Sequence, residues 1–175
     1  MRQRAVTFKA KGLNFEGVIA TPEDTKEKLP GVVICHPHPL HGGNMDNNVV
    51  LAVTFGLVEK GCAVFRFNFR GVGNSEGEHT RGEKEYQEAL GALEFMKAWD
   101  QIDRNNLDNC SYSFGTRVIL NSPELQKHPK VFAFVSPSFE ALESSTLKIN
   151  KRPKLVITGN RDRLVGSEGL DTMWE

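Results

Sequence analysis

The chain has 175 residues, of which 39% are hydrophobic, and its 22 basic and 22 acidic side chains give a formal net charge of zero. This length and composition predict a single domain with one sizeable core over residues 1–175. The balanced charge lacks the basic excess of a nucleic-acid-binding surface, and no apolar run approaches the roughly 20 residues of a membrane span. We therefore expect neither a nucleic acid nor a membrane as partner. The N-terminus lacks the apolar segment of a signal peptide, and three cysteines are an odd number for disulfides, so we expect a cytoplasmic protein with reduced thiols.

Strands and helices alternate along most of the chain. Residues 5–10 and 13–20 predict an antiparallel hairpin with a turn at Lys11-Gly12. Continuous apolar runs at 31–36, 62–69, 131–136 and 154–159 are typical of strands buried on both faces of a parallel sheet. A helix capped by Asp46 ends before Gly61, another covers about 82–99, and a short one follows Ser113. The segment 107–112 predicts one more strand, although it is unusually polar.

This alternation predicts an α/β fold with a mostly parallel, doubly wound sheet and helices on both faces. In such sheets the functional crevice lies at the carboxyl ends of the strands. The Pro- and His-rich loop 37–43, the Gly-rich loop 70–77 and Ser113 all follow predicted strands, so we expect them at that edge.

Ser111-Tyr-Ser-Phe-Gly115 has the form of a nucleophile elbow, G-x-S-x-G, with a serine at the first glycine. An ordinary polar turn is the alternative reading of this pentapeptide. If Ser113 is a nucleophile, it needs a base, an acid that orients the base, and N–H donors for the oxyanion. The Phe114 N–H is the natural first donor. The second should come from the loop after residue 36, where the prolines have no N–H and His38 or, as the weaker choice, Leu40 remains.

Three motifs together resemble the α/β-hydrolase superfamily: Cys35-His-Pro-His-Pro, Arg70-Gly-Val-Gly-Asn-Ser, and the elbow around Ser113. The nearest branch is the small serine hydrolases related to dienelactone hydrolases, and the resemblance covers about 15–165. It implies an α/β-hydrolase fold, Ser113 as nucleophile, and His38 and Phe114 as oxyanion donors. It also implies Asp162 as the acid, because Gly159-Asn-Arg-Asp162 matches the family's pattern after a strand.

One departure from this family is serious. The family order is Ser, Asp, His, yet all five histidines of this sequence (His36, His38, His41, His79 and His128) precede Asp162. The chain is therefore C-terminally short as an α/β-hydrolase domain, and whether it is an active enzyme is in doubt. Three explanations stay open: a truncated form of a full enzyme, a homologue that has lost catalysis, or a base drawn from the His36–His41 loop.

We expect a serine hydrolase that cleaves a small ester or related acyl bond through an acyl-Ser113 intermediate. Its partner would be a small-molecule acyl substrate, and no metal or organic cofactor is needed. The alternative is a non-catalytic binding or interaction protein, and an open sheet edge would make a homodimer plausible. His79 and His128 have polar neighbours in the sequence and are predicted to be surface residues.

Overall fold

The computed structural model describes residues 1–23, 25, 27–143 and 149–162. These residues form one seven-stranded sheet in the order β1-β2-β4-β3-β5-β6-β7. The strands are β1 (Arg2–Ala10), β2 (Leu13–Thr21), β3 (Leu29–Cys35), β4 (Ala63–Phe67), β5 (Ile102–Tyr112), β6 (Phe132–Val135) and β7 (Lys154–Ile157). β2 is antiparallel to β1 and β4, whereas β3 to β7 are parallel. The predicted mostly parallel sheet is confirmed.

The helices are α1 (Asn48–Glu59), α2 (Tyr86–Ala98), α3 (Phe114–Leu120), α4 (Pro123–Lys127) and α5 (Phe139–Glu143), with a 3-10 helix at Pro39–His41. The expected cap Asp46 is wrong: Asn47 caps α1 by accepting the Val49 N–H at 3.0 Å, and Asp46 pairs with Arg66 at 3.2 Å. None of the helices in the described ranges is both long and apolar enough to cross a membrane.

α2 begins four residues later than predicted because residues 80–84 form a turn instead of a helical start. The Glu85 carboxylate accepts hydrogen bonds from the N–H groups of Thr80 at 2.7 Å and Gly82 at 2.9 Å. A side chain that binds the backbone on its N-terminal side competes with helical hydrogen bonding there. The loop after β4 therefore continues to Glu85.

The core has two parts, one on each face of the sheet. The larger part packs α2 to α5 against aromatic strand residues, among them Phe8, Phe15, Phe65, Phe67, Phe132 and Phe134. The smaller part packs Val50 and Val58 of α1 against Ile34 and Val64. Helices cover both faces, as expected, but unequally.

This inequality follows from the direction in which the chain crosses the sheet. The connection through α1 runs from β3 to β4, towards β1, whereas every later connection runs towards β7. Because parallel crossovers are right-handed, opposite directions place helices on opposite faces. α1 is thus the only described helix on its face, and an apolar groove of about 480 Å³ lies beyond it, lined in part by Val53, Leu57, Ala133, Leu155 and Ile157. We call this the β5–β7 groove.

Candidate active site

Ser113 lies between the end of β5 and the start of α3, with φ 52° and ψ −111°. Left-handed backbone is strained for a residue other than glycine, and such strain is typical of functional sites. The conformation is held by a 2.9 Å hydrogen bond from the Ser113 N–H to the Val135 carbonyl of β6, and by a 2.9 Å bond from the Thr116 N–H to the Ser113 carbonyl. This is the geometry of a nucleophile elbow, with the half-buried side chain at the carboxyl edge of the sheet.

Close packing and hydrogen bonding explain why small residues lie on either side of Ser113. A Cβ atom on Gly115 would lie 2.5 Å from the Cys35 carbonyl oxygen and 2.7 Å from the Cys35 Cβ, so only glycine fits between α3 and β3. Ser111 replaces the other motif glycine and is fully buried. Its hydroxyl hydrogen-bonds the Thr116 hydroxyl at 2.9 Å, which satisfies both groups and makes a serine acceptable here.

The side chains of the two residues that are predicted to supply the oxyanion donors lie side by side. The ring centroids of His38 and Phe114 are 4.8 Å apart. Phe114 is the first residue of α3, where an N–H has no acceptor within the helix. Within the described ranges, neither its N–H nor that of His38 has a hydrogen-bond acceptor. The loop is fixed by the His38 carbonyl, which accepts the N–H groups of His41 and Gly43 at 3.0 Å.

His36 is a structural residue. Its ring is fully buried, Nδ1 lies 2.7 Å from the Pro37 carbonyl oxygen, and Nε2 accepts the Phe69 N–H at 3.1 Å. Burial lowers the pKa of His36 to about 4, which keeps the ring neutral. Both nitrogens are occupied, so His36 has no lone pair to offer Ser113.

His79 also lies beside the predicted oxyanion donors, which the sequence did not indicate. It was predicted to be a surface residue, but its side chain is only 10% exposed. Its ring lies 5.1 Å from that of His38 and 5.4 Å from that of Phe114. His41 stacks on His38 with ring centroids 4.8 Å apart, whereas His128 is exposed as predicted. In the described ranges, no set of three or more His, Cys or acidic side chains has metal-binding geometry.

Asp162 follows β7 and is half-buried, with its N–H bonded to the Gly159 carbonyl at 2.9 Å. β7 is parallel to β5 and separated from it by β6. Neighbouring strands are about 4.8 Å apart, so the ends of β5 and β7 lie about 10 Å apart at the same edge. Asp162 is therefore at the sheet edge that carries Ser113, and its role as the acid stays a prediction.

Similarity to known proteins is consistent with this arrangement. No model of a known protein family matches the sequence. An uncharacterized protein of Rickettsia prowazekii strain Madrid E is 31% identical over 153 residues, which are 83% of this chain and 62% of that protein. The chain thus spans less than two thirds of that relative's length.

Two solved structures are similar over nearly the whole chain. One is an α/β serine hydrolase homologue from Coxiella burnetii, with a TM-score of 0.82, 29% identity, and coverage of 99% of this chain and 81% of that one. The other, from Xanthomonas campestris, is described as an α/β serine hydrolase without a lid; its TM-score is 0.79 at 27% identity, covering 98% and 77% of the two chains.

The sheet order, the elbow and these similarities define the class of α/β hydrolases. The chain belongs to the α/β-hydrolase superfamily, as its three motifs predicted. One of these two structures is described as an α/β serine hydrolase and the other as a homologue of one.

Proposed function

We propose that the protein is a serine hydrolase that cleaves a small ester or related acyl bond through an acyl-Ser113 intermediate. The observation that carries this proposal is the left-handed backbone at Ser113, at the junction of β5 and α3. A purely structural serine at this position would gain nothing from the strain, because glycine adopts the same φ without cost.

The chemistry follows from the groups around Ser113. The Ser113 hydroxyl oxygen bonds to the carbonyl carbon of the substrate while its proton passes to a base. The carbonyl oxygen becomes an oxyanion that accepts hydrogen bonds from the N–H groups of Phe114 and His38. The C–O bond to the alcohol then breaks, and the alcohol leaves with a proton. Water later attacks the acyl carbon and releases the acid and free Ser113.

In this mechanism we assign Asp162 the role of the acid that orients the base. A carboxylate at the end of a neighbouring strand can hold a histidine in the tautomer that accepts the nucleophile's proton. No histidine follows Asp162 in the sequence. Removing the base from such a triad leaves oxyanion stabilisation and substrate binding, which still give residual catalysis.

Labelling with a fluorophosphonate probe tests this function, because the probe reacts with activated serines. We expect one probe per chain, read from the intact mass, with the modification at Ser113. Ser113→Ala should abolish labelling, whereas Ser138→Ala, which removes an exposed serine, should leave it unchanged. A wild-type chain that stays unlabelled, or a Ser113→Ala variant labelled as fast as wild type, would overturn the assignment.

The β5–β7 groove favours a second candidate, a non-catalytic interaction protein whose partner is another copy of this chain. Leu155 is 53% exposed and Ile157 is 50% exposed, although both are apolar strand residues. Among the described strands, β7 is hydrogen-bonded only to β6, and no described strand pairs with its other edge. An open edge beside an apolar face is a template for pairing with another chain.

Ile157→Lys is expected to weaken such a dimer, since it puts a charge into the groove. Sedimentation velocity at micromolar concentration should show a dimer for the wild type and a monomer for the variant. Ile149→Lys is the matched control, because Ile149 is 81% exposed and does not line the groove, and it should leave the dimer intact. A monomeric wild type would exclude this second function.

A further inference from the structure

The loop that carries His79 is built around one buried carboxylate. The Glu85 side chain has no exposed surface and accepts hydrogen bonds from the Thr80 N–H at 2.7 Å, the Thr80 hydroxyl at 2.6 Å and the Gly82 N–H at 2.9 Å. Burial alone would raise the pKa of Glu85, but the hydrogen bonds from Thr80 and Gly82 outweigh it and lower the pKa. Glu85 is therefore a carboxylate anion at neutral pH.

His79 lies directly against this anion. Its Nδ1 is 2.9 Å from Glu85 Oε1, a contact of ion-pair length whose angle departs from an in-line hydrogen bond. A carboxylate at this distance favours one orientation of the ring. The His79 ring also contacts two other rings, those of His38 and Phe114.

A role in packing alone does not account for a histidine at this position. Nε2 of His79 is buried and has no hydrogen-bond partner among the described residues. A buried polar atom without a partner costs free energy, and a phenylalanine ring would fill the same space without that cost. The imidazole therefore contributes something that simple filling of space does not, and its contact with the Glu85 carboxylate is the observed candidate.

We propose that His79, held by Glu85, is a positioning residue of the candidate oxyanion hole: its ring sets the places of His38 and Phe114, whose N–H groups are the two donors. This inference rests on the proposed hydrolase function for its catalytic consequence, but not for its structural part. Oxyanion donors lose their effect when they are misplaced by a fraction of an ångström, so a ring that contacts both donor residues controls their effectiveness.

The same contact couples the charge of His79 to His38. His38 Nδ1 accepts the Leu40 N–H at 3.2 Å, so the ring holds the loop in its neutral form. Partial burial is the first cause that lowers the pKa of His38, followed by the charges of His79, His41 and Arg117, while Glu85 opposes them. The His38 contribution to loop stability is thus present above its ordinary pKa of about 6.5 and is lost as the pH falls through the lowered value.

Two substitutions of His79 separate ring contact from charge. His79→Ala removes the ring and should slow fluorophosphonate labelling of Ser113 by at least about tenfold, because both donors lose a contact that fixes them. His79→Phe keeps a ring but loses the contact with the Glu85 carboxylate, so it should restore only part of the labelling rate. It also removes one positive neighbour, so the midpoint of the His38 titration, followed by NMR of the imidazole, should move up towards the ordinary value. His128→Phe, at an exposed histidine, should change neither quantity.

The NMR measurement keeps the two proposals distinguishable. If wild-type protein is never labelled, the hydrolase function fails, and the imidazole resonances of His38 still decide the role of His79. Resonances of His38 that are the same in folded His79→Ala as in the wild type would overturn the positioning role. So would a folded His79→Ala variant that is labelled at the wild-type rate.

Discussion

Glu88→Gln is expected to lower the free energy of unfolding by about 3–5 kcal/mol, because it leaves a buried guanidinium without its counter-charge. Glu88 has no exposed surface and Arg70 is 6% exposed. Arg70 Nη2 donates to Glu88 Oε2 at 2.6 Å, and Arg70 Nε donates to Oε1 at 2.9 Å. The Arg70 N–H also donates to Oε1 at 3.1 Å. The carboxylate therefore holds the loop after β4 in place and also neutralises the buried guanidinium.

Urea denaturation measures this effect. The matched control is Glu94→Gln, which breaks an exposed ion pair with Lys97 on the same helix, 2.7 Å long, and should cost less than about 1 kcal/mol. The double variant Arg70→Met, Glu88→Leu should recover much of the loss, since it removes both charges. If Glu88→Gln is no more destabilising than Glu94→Gln, the buried pair has no special role in stability.

Gly115→Ala is expected to destabilise the protein by about 3 kcal/mol, at the upper end of overpacking effects. The added methyl carbon would meet backbone atoms of Cys35 at 2.5–2.8 Å, and backbone cannot move aside as a flexible side chain can. The clash with Cys35 can be relieved only if α3 shifts away from β3. Because Ser113 and Phe114 begin α3, a shift of about 1 Å should also slow probe labelling by about 100-fold.

Gly56→Ala is the control for this change. Gly56 lies in α1 with no atom within 4 Å of an added Cβ, so alanine there should be neutral or should stabilise by up to about 1 kcal/mol. Thermal unfolding and labelling rates, measured on both variants, give the comparison. A Gly115→Ala variant as stable as Gly56→Ala would show that the elbow tolerates a larger residue and that the close approach to Cys35 is not a constraint.

The fold was predictable because its central strands are apolar on both faces and alternate with helices. β5 was the least convincing strand in the sequence, since Asp108, Asn109 and Ser111 are polar. The structure accounts for two of them: Asp108 accepts the Val131 N–H at 3.2 Å, and Ser111 bonds Thr116. These partners are not adjacent in the sequence to the residues that they bond, so no local sequence pattern indicates them. α4 and α5 were not predicted because five residues are too few to show helical periodicity.

The elbow was predictable because its constraints are local. Ser113, Phe114 and Gly115 are consecutive, and their spacing encodes the turn. His79 could not be found in this way. Its sequence neighbours are polar, and its burial depends on Glu85, six residues later, and on Phe114, in another helix. The signal that could have found it is Glu85 itself, an acidic residue that follows a glycine-rich loop and can turn back on it.

The hydrogen bond between Ser113 and Val135 has a consequence for when the site is completed during biosynthesis. Strands β1 to β5, together with α1 and α2, precede Ser113 in the sequence and can pair as soon as they emerge from the ribosome. The backbone of Ser113, however, obtains its acceptor from a strand that is made 22 residues later. Ser113 therefore reaches its final conformation only after β6 has docked beside β5. A nascent chain can therefore have most of its sheet folded while the turn at Ser113 has not yet formed.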